Sequence, residues 1–276
     1  MEKELLNGIL LGIITNGDNP EQALKEVSDL GFATCQVDVT TYSPELAKQL
    51  KNAFLKYKLK PNTLLCLGPG EQEWNFTEGP ATVGIIPLQY RKERMKRLKE
   101  GIDFCNAAEI PAVHSHFGFI PENPGDTLYT EFIELMKELG EYALKQGIDI
   151  YFESGQETPV TLMRAIEDIG TGNLFVNYDT ANMVLYGKSN PLDGLKMLAK
   201  YVKSFHAKDG LYPTNAMELG KEMPIPNGIV DFPAIISFLK EIKFIGEIII
   251  ECELSNQNTD YIVQTKKYLE GLIKSS

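Results

Sequence analysis

Four polar residues stand where short apolar runs end. Glu153 closes residues 148–153, Asp179 closes 174–179, His206 closes 202–206 and Glu251 lies near the end of 247–252. Three carboxylates and one imidazole form a mixed oxygen and nitrogen donor set suited to Mn²⁺, the leading choice, or to Mg²⁺, Co²⁺ or Zn²⁺. Carboxylates confined together repel one another, and a divalent ion removes that repulsion. Such an ion is a Lewis acid that polarises a carbonyl and stabilises the enediolate formed when the adjacent carbon loses a proton. Carboxylates beside it serve as base and acid. The set therefore reads as proton-transfer chemistry on a carbonyl compound. Glu253 lies on the same strand face as Glu251, two residues on, and is the rival fourth ligand. His114 and His116 alternate within 112–117 and face the same way, with His116 nearer the end of the run. His116 is read as either a substrate ligand or a structural hydrogen-bonding group. Lys208 either holds a substrate hydroxyl or phosphate or is a solvated loop lysine. Trp74, the only tryptophan, is either a lid that stacks on the apolar face of a sugar or packing for a long loop.

Residues this far apart in sequence meet only if their strands converge. Eight runs have the length and apolar character of buried parallel strands: 8–15, 33–39, 62–67, 112–117, 148–153, 174–179, 202–206 and 247–252. Helical patterns fall between them. Leu128, Phe132, Leu135, Leu139 and Tyr142 recur at helical spacing, and Gly147 follows as a C-terminal stop. Asn19-Pro20, Ser43-Pro44, Thr158-Pro159 and Asn190-Pro191 each pair a capping side chain with a proline at the first helical position. Eight strands alternating with eight helices predict parallel pairing with right-handed crossovers, and a closed (β/α)8 barrel, the TIM-barrel architecture, is the leading arrangement. A doubly wound open sheet is second, but no G-x-G-x-x-G follows the first strand. Residues 68–88 and 207–231 are too long for simple turns. Both follow strands, which places them at the catalytic face of a barrel.

At 276 residues the chain fits one such barrel of about 250 residues, so a single domain over 1–276 is expected. Its formal net charge of −11 argues against nucleic acid and against an anionic membrane surface as partners. No apolar run reaches bilayer length, and Met1-Glu2-Lys3-Glu4 is unlike a secretory signal. Cys35, Cys66, Cys105 and Cys252 form no C-x-x-C pair and read as buried reduced thiols, which suits the cytoplasm.

Four segments carry a resemblance: Phe152-Glu153-Ser154-Gly155-Gln156-Glu157-Thr158, Asp179-Thr180-Ala181-Asn182, His206-Ala207-Lys208-Asp209-Gly210 and Ile250-Glu251-Cys252-Glu253. Together they resemble the sugar isomerase/epimerase superfamily of xylose isomerase-like barrels, which includes ketose 3-epimerases, inosose-converting enzymes and the endonuclease IV type of repair enzyme. The segment from Trp74-Asn75-Phe76 through Gly79-Pro80, and the run from His116 to Pro124, resemble a bacterial sugar phosphate isomerase/epimerase branch. The resemblance implies one metal held by Glu153, Asp179, His206 and Glu251, with Glu153 and Glu251 facing each other across the substrate as acid and base. It also implies a small sugar or polyol ketone as partner, and pairing of relatives suggests a homo-oligomer. Asn182, assigned to substrate binding, stands where several relatives have histidine, and Pro226-Asn227-Gly228 replaces an expected Gly-x-Gly, so the chain departs from the likeness at these two places. A lyase or dehydratase would use the same metal and enolate. Phosphodiester cleavage needs a histidine-rich site, and this chain has three histidines. A non-catalytic sugar-binding protein would have no need of both glutamates.

Overall fold

Strands apolar on both faces have to be covered on both, and the chain achieves this by closing a parallel sheet on itself and ringing it with helices. The computed structural model describes residues 6–252 and 259–275. In chain order, the first half comprises β1 (Ile9–Asn16), α1 (Pro20–Asp29), β2 (Thr34–Asp38), α2 (Pro44–Tyr57), β3 (Lys60–Leu65), α3 (Gly79–Thr82), α4 (Arg91–Ala108), β4 (Ala112–Ser115) and α5 (Thr127–Gln146). Then follow β5 (Asp149–Glu153), α6 (Pro159–Ile169), β6 (Leu174–Asp179), α7 (Thr180–Leu185), α8 (Pro191–Leu198) and β7 (Val202–Ala207). The chain continues through β8 (Asp209–Leu211), β9 (Lys221–Met223), α9 (Phe232–Glu241), β10 (Gly246–Ile250) and α10 (Thr259–Lys274). Strands β1 to β7 and β10 form a closed barrel, with β10 between β7 and β1, and every pairing in it is parallel. This is the (β/α)8 barrel that the sequence predicts.

All four expected proline-led helix starts are capped as their chemistry requires. The side chains of Asn19, Ser43, Thr158 and Asn190 accept backbone N–H groups at the heads of α1, α2, α6 and α8. Gly147 ends α5 at φ 71°, a left-handed conformation that costs glycine little. The buried stripe of α5 differs from the expected one. Leu128 is exposed, and Tyr129, Met136 and Ala143 join Phe132 and Leu139 inside, a face turned by about one residue. Both kinds of apolar residue repeat at helical spacing, so the pattern alone does not say which row meets the sheet.

The long segments contain structure of their own. Residues 68–88 enclose α3, and β8 pairs with β9 in an antiparallel hairpin within 207–231. With α3 and α7 added, the helices exceed the expected eight. Buried Arg94 of α4 holds the first segment in place by donating to the carbonyls of Pro69, Glu71, Thr82 and Gly84. Gly84 adopts φ 72°, and a Cβ there would lie 2.0 Å from the Phe117 backbone, so only glycine lets the two chains touch. In the second segment the Asp209 carboxylate accepts the N–H groups of Gly210, Gly228 and Val230, which secures the Pro226-Asn227-Gly228 turn from inside. Cys35, Cys66 and Cys105 are buried, whereas Cys252, past the end of β10, is only half-buried, because the chain there leaves the barrel wall. No helix among the described residues is long and apolar enough to cross a membrane.

Candidate metal and substrate site

Parallel strands of one barrel all end at the same mouth, so a residue at each end of neighbouring strands shares that mouth with the others. Glu153 and Asp179 are the last residues of β5 and β6, His206 is the penultimate residue of β7, and Glu251 directly follows β10. Asp179 pairs in register with His206, and the Glu251 N–H donates to the Ala207 carbonyl at 3.2 Å. One donor atom from each of the four residues falls in a set whose members all lie within 4.8 Å of one another. Glu253, the rival ligand, lies outside the described residues.

His206 is the hub. Its Nδ1 is 2.9 Å from Glu153 Oε1, 2.7 Å from Glu251 Oε2 and 3.8 Å from Asp179 Oδ2. Asp179 divides its oxygens between two tasks. Oδ1 accepts the Asn182 N–H at 2.8 Å and caps α7, while Oδ2 is buried with no hydrogen-bond partner. Glu251 Oε2 is likewise buried without a well-directed donor, despite its closeness to Nδ1. Burial opposes every charge here, but the charges override it on three of the four residues. Glu153 and Glu251 hold His206 well above the usual imidazole range. His206 and His116 hold Glu153 down to about 2, and Lys208 and His206 hold Glu251 well below the carboxylate range. Asp179 goes the other way: burial pushes it up to about 7, aided by Glu251 and Glu153 against the pull of His206 and Lys208. The cluster therefore retains protons in a space lined with oxygen lone pairs, and a divalent cation would displace them. The orphaned carboxylate oxygens and the convergence of four donors fit one such ion.

A cavity of about 440 Å³ opens above the cluster. It is lined by all four substrate-binding residues expected from sequence, Trp74, His116, Asn182 and Lys208, as well as by Glu153, His206 and Glu251. His116 falls just past the end of β4 and not within it, which frees its ring to turn across the mouth. Its Nδ1 is 3.2 Å from Gln156 Oε1, and Trp74 packs edge-on against it with ring centroids 4.7 Å apart. Lys208 is buried, with Nζ 3.4 Å from Glu251 Oε1, so it is not a solvated loop lysine. Leu67, Leu185, Tyr186 and Leu219 supply apolar wall, and Glu222 reaches in from the β8–β9 hairpin.

Two groups escaped the reading of the sequence. Gln156 lines the cavity with its Nε2 buried and unpartnered, a donor without an acceptor. It sits in the same segment as Glu153, which was the available signal. His114 is fully buried, with Nδ1 2.5 Å from Thr63 Oγ1 and Nε2 3.4 Å from Glu153 Oε2. It can form a second donor triad with Glu153 and His206. Burial lowers its pKa to about 3, with His206 and His116 adding to the effect against the pull of Glu153, so it stays neutral. Its alternation with His116 pointed inward, but nothing in the sequence gave it a partner.

Residues 24–272 match the family model described as a xylose isomerase-like TIM barrel. Among solved structures, the chain is similar to a xylose isomerase domain protein from Planctomyces limnophilus, with 30% identity, 95% of each chain covered and a TM-score of 0.87. It is also similar to a D-tagatose 3-epimerase-like protein, at 20% identity over 96% of this chain and 97% of that one, with a TM-score of 0.75. A third is a xylose isomerase-like TIM barrel protein from Mycobacterium smegmatis in complex with magnesium, at 16% identity over 95% and 96%, with a TM-score of 0.67. Among curated protein sequences, none matches the chain.

Proposed function

Because the chain belongs to the xylose isomerase-like TIM barrel family, we propose that it is a divalent-metal-dependent isomerase or epimerase of a small, unphosphorylated ketose or polyol-like ketone. The observation that carries this reading is the convergence of Glu153, Asp179, His206 and Glu251 at the floor of a cavity of about 440 Å³. We take Mn²⁺ as the ion, with Mg²⁺, Co²⁺ or Zn²⁺ as substitutes suited to the same donors. Bound there, the ion would polarise the substrate carbonyl and offset the negative charge that develops on deprotonation of the neighbouring carbon.

The remaining work falls to the chain's own side chains. Glu153 and Glu251 come from β5 and β10, with β6 and β7 between them in the barrel, so they approach the cavity floor from two directions. One takes the proton from the carbon beside the carbonyl and the other supplies a proton, to the opposite face for epimerisation or to the adjacent carbon for isomerisation. Lys208, beside Glu251, holds that carboxylate ionised and presents N–H donors to a hydroxyl. The unpartnered Gln156 Nε2 and the His116 ring orient a second hydroxyl, and Trp74 covers the sugar's carbon face.

Charge supports an unphosphorylated substrate. Among the described residues, Lys208 is the one lysine or arginine lining the cavity, and Glu251 already engages it. Glu222 also lines the cavity and opposes a phosphate dianion. Phosphate recognition relies on lysine and arginine. The buried thiols of Cys35, Cys66 and Cys105, without disulfides, suit a cytoplasmic setting.

The test is a panel of ketoses, inososes and their phosphates incubated with the protein in D2O and Mn²⁺. Solvent deuterium should enter the carbon beside the carbonyl of an unphosphorylated member. EDTA should abolish the exchange and Mn²⁺ restore it. Exchange that survives EDTA, or a product that has lost water, would overturn the assignment.

A further inference from the structure

The interior of a (β/α)8 barrel is ordinarily filled with layers of branched apolar side chains. Here one level is polar, with Gln36, Asn62 and Glu247 buried and Lys60 reaching it from the exposed end of the barrel, and its hydrogen bonds run in one direction. Lys60 and Glu247, at the starts of β3 and β10, form an ion pair of 2.5 Å at the end of the barrel away from the cavity. The Glu247 carboxylate has lone pairs only, so Asn62, 3.1 Å away, must turn its NH2 towards Oε2. Asn62 Oδ1 then faces Gln36, whose NH2 lies 2.8 Å from it. That leaves Gln36 Oε1 to accept from His206 Nε2, at 2.7 Å. An amide alone can be read either way round, but a chain that begins at a carboxylate cannot.

We propose that Gln36 is a positioning residue for the metal centre: the Lys60–Glu247 pair sets the direction of a buried amide chain that holds His206 as its Nε2–H tautomer, with the Nδ1 lone pair facing Glu153, Asp179 and Glu251. The inference rests on the metal-binding reading above. A ligand imidazole is oriented by the hydrogen bond made by its other nitrogen, and such partners are worth about 10- to 100-fold in metal affinity. Usually that partner is a carboxylate or backbone carbonyl in direct contact. In this barrel the carboxylate acts through two amides. A competing contact exists: Asn177 Nδ2 is also 2.8 Å from His206 Nε2. A donor cannot share a protonated nitrogen, and the Asn177 amide has Glu153 Oε2 at 3.4 Å as its acceptor.

The measurements are Mn²⁺ affinity by calorimetry on the metal-stripped 276-residue chain, and long-range ¹H–¹⁵N spectra of the Zn²⁺-loaded protein, which has three histidines to assign. The parent should show His206 protonated at Nε2. Gln36→Leu should weaken Mn²⁺ binding about 10- to 100-fold, and Gln36→Glu, whose carboxyl when kept protonated by burial offers an acceptor to His206 and an O–H donor to Asn62, should recover most of it. Glu247→Gln touches no ligand, yet should also weaken binding, because a carboxamide no longer forces the direction of the chain. An Nδ1-protonated parent, a Gln36→Leu variant within about twofold of the parent, or a Gln36→Glu variant as weak as the leucine one would overturn the inference. Should Gln36→Leu fail to fold, the parent spectrum and Glu247→Gln decide it. A parent that binds neither ion fails the metal reading itself, an outcome distinct from a binding parent with unaffected variants.

Discussion

Glu153 and Glu251 share a hub but differ in reach. The Glu153 side chain is 3% exposed and the Glu251 side chain 18%, so Glu251 stands further into the cavity. Glutamine at either position keeps an oxygen for the metal and removes the base, and each variant should lose ~10²–10⁴-fold in turnover. The double variant should be little worse, because the pair acts as a unit. Metal content measured alongside separates a lost ligand from a lost base, and near-parent turnover in metal-loaded variants would move the chemistry elsewhere. A second carboxyl offers a test of stability. Burial pushes Glu157 up to about 8 against the pull of nearby backbone N–H groups and Lys188, and its Oε1 has no partner. Between the usual carboxyl value and about 8 the folded chain keeps a proton that the unfolded chain releases. Glu157 is thus least costly below that window, and stability falls as pH rises through it. Glu157→Gln should match the parent in unfolding free energy near pH 5 and exceed it near pH 9 by up to a few kcal/mol, at ~1.4 kcal/mol for each pH unit of the window. Equal differences at both pH values would mean the carboxyl is already ionised or solvated. The strand-end acids were legible because each closes an apolar run. Gln36 and Asn62 were not, since a polar residue inside a strand run looks the same whether it points into the barrel or out.

Among the elements, the segment 68–88 is tied to the barrel through one buried side chain. Arg94 meets four of its carbonyls and, among the described residues, no carboxylate. Methionine there would fill the space and leave those carbonyls without donors, at ~1–3 kcal/mol for each that stays buried. Arg94→Met should therefore free the segment before it unfolds the barrel. Trp74 fluorescence reports this directly, since no other tryptophan contributes. Its emission should shift to the red and proteolysis should appear within 68–88. An unchanged spectrum with intact chain would show that packing, not Arg94, holds the segment. The length of this segment was legible as function, but its anchor was not. Arg94 lies in the charged run Arg91-Lys92-Glu93-Arg94, which reads as a solvated helix face. The β8–β9 hairpin was missed for a different reason. Its strands are three residues each, too short for alternation to register.

For the molecule as a whole, the proposed ligands draw together β5, β6, β7 and β10, half of the barrel wall. An ion that binds the folded chain alone adds stability by mass action, about 2.7 kcal/mol at a hundredfold excess over its dissociation constant. Mn²⁺ should therefore raise the melting temperature by several degrees, and EDTA should reverse it. Binding near pH 7 should also release about one proton or more, because His206 is held protonated in the free cluster. Calorimetry in buffers of different ionisation heat measures that number, and zero release would contradict the proton-filled cluster. The alternation of strand and helix made the barrel legible. Closure depends on β1 meeting β10, a pairing between the two ends of the chain that no local pattern carries.

The four proposed ligands stand at or next to strand ends, whereas much of the cavity roof comes from two excursions that carry Trp74 on one side and Leu219, Gly220 and Glu222 on the other. Part of the cavity wall is thus separable from the proposed ligands, while His116, Gln156 and Asn182 stay with the barrel. Exchanging the two excursions with those of a relative, each with its own anchor at Arg94 or Asp209, should leave the four proposed ligands in place and change only the wall of the cavity above them.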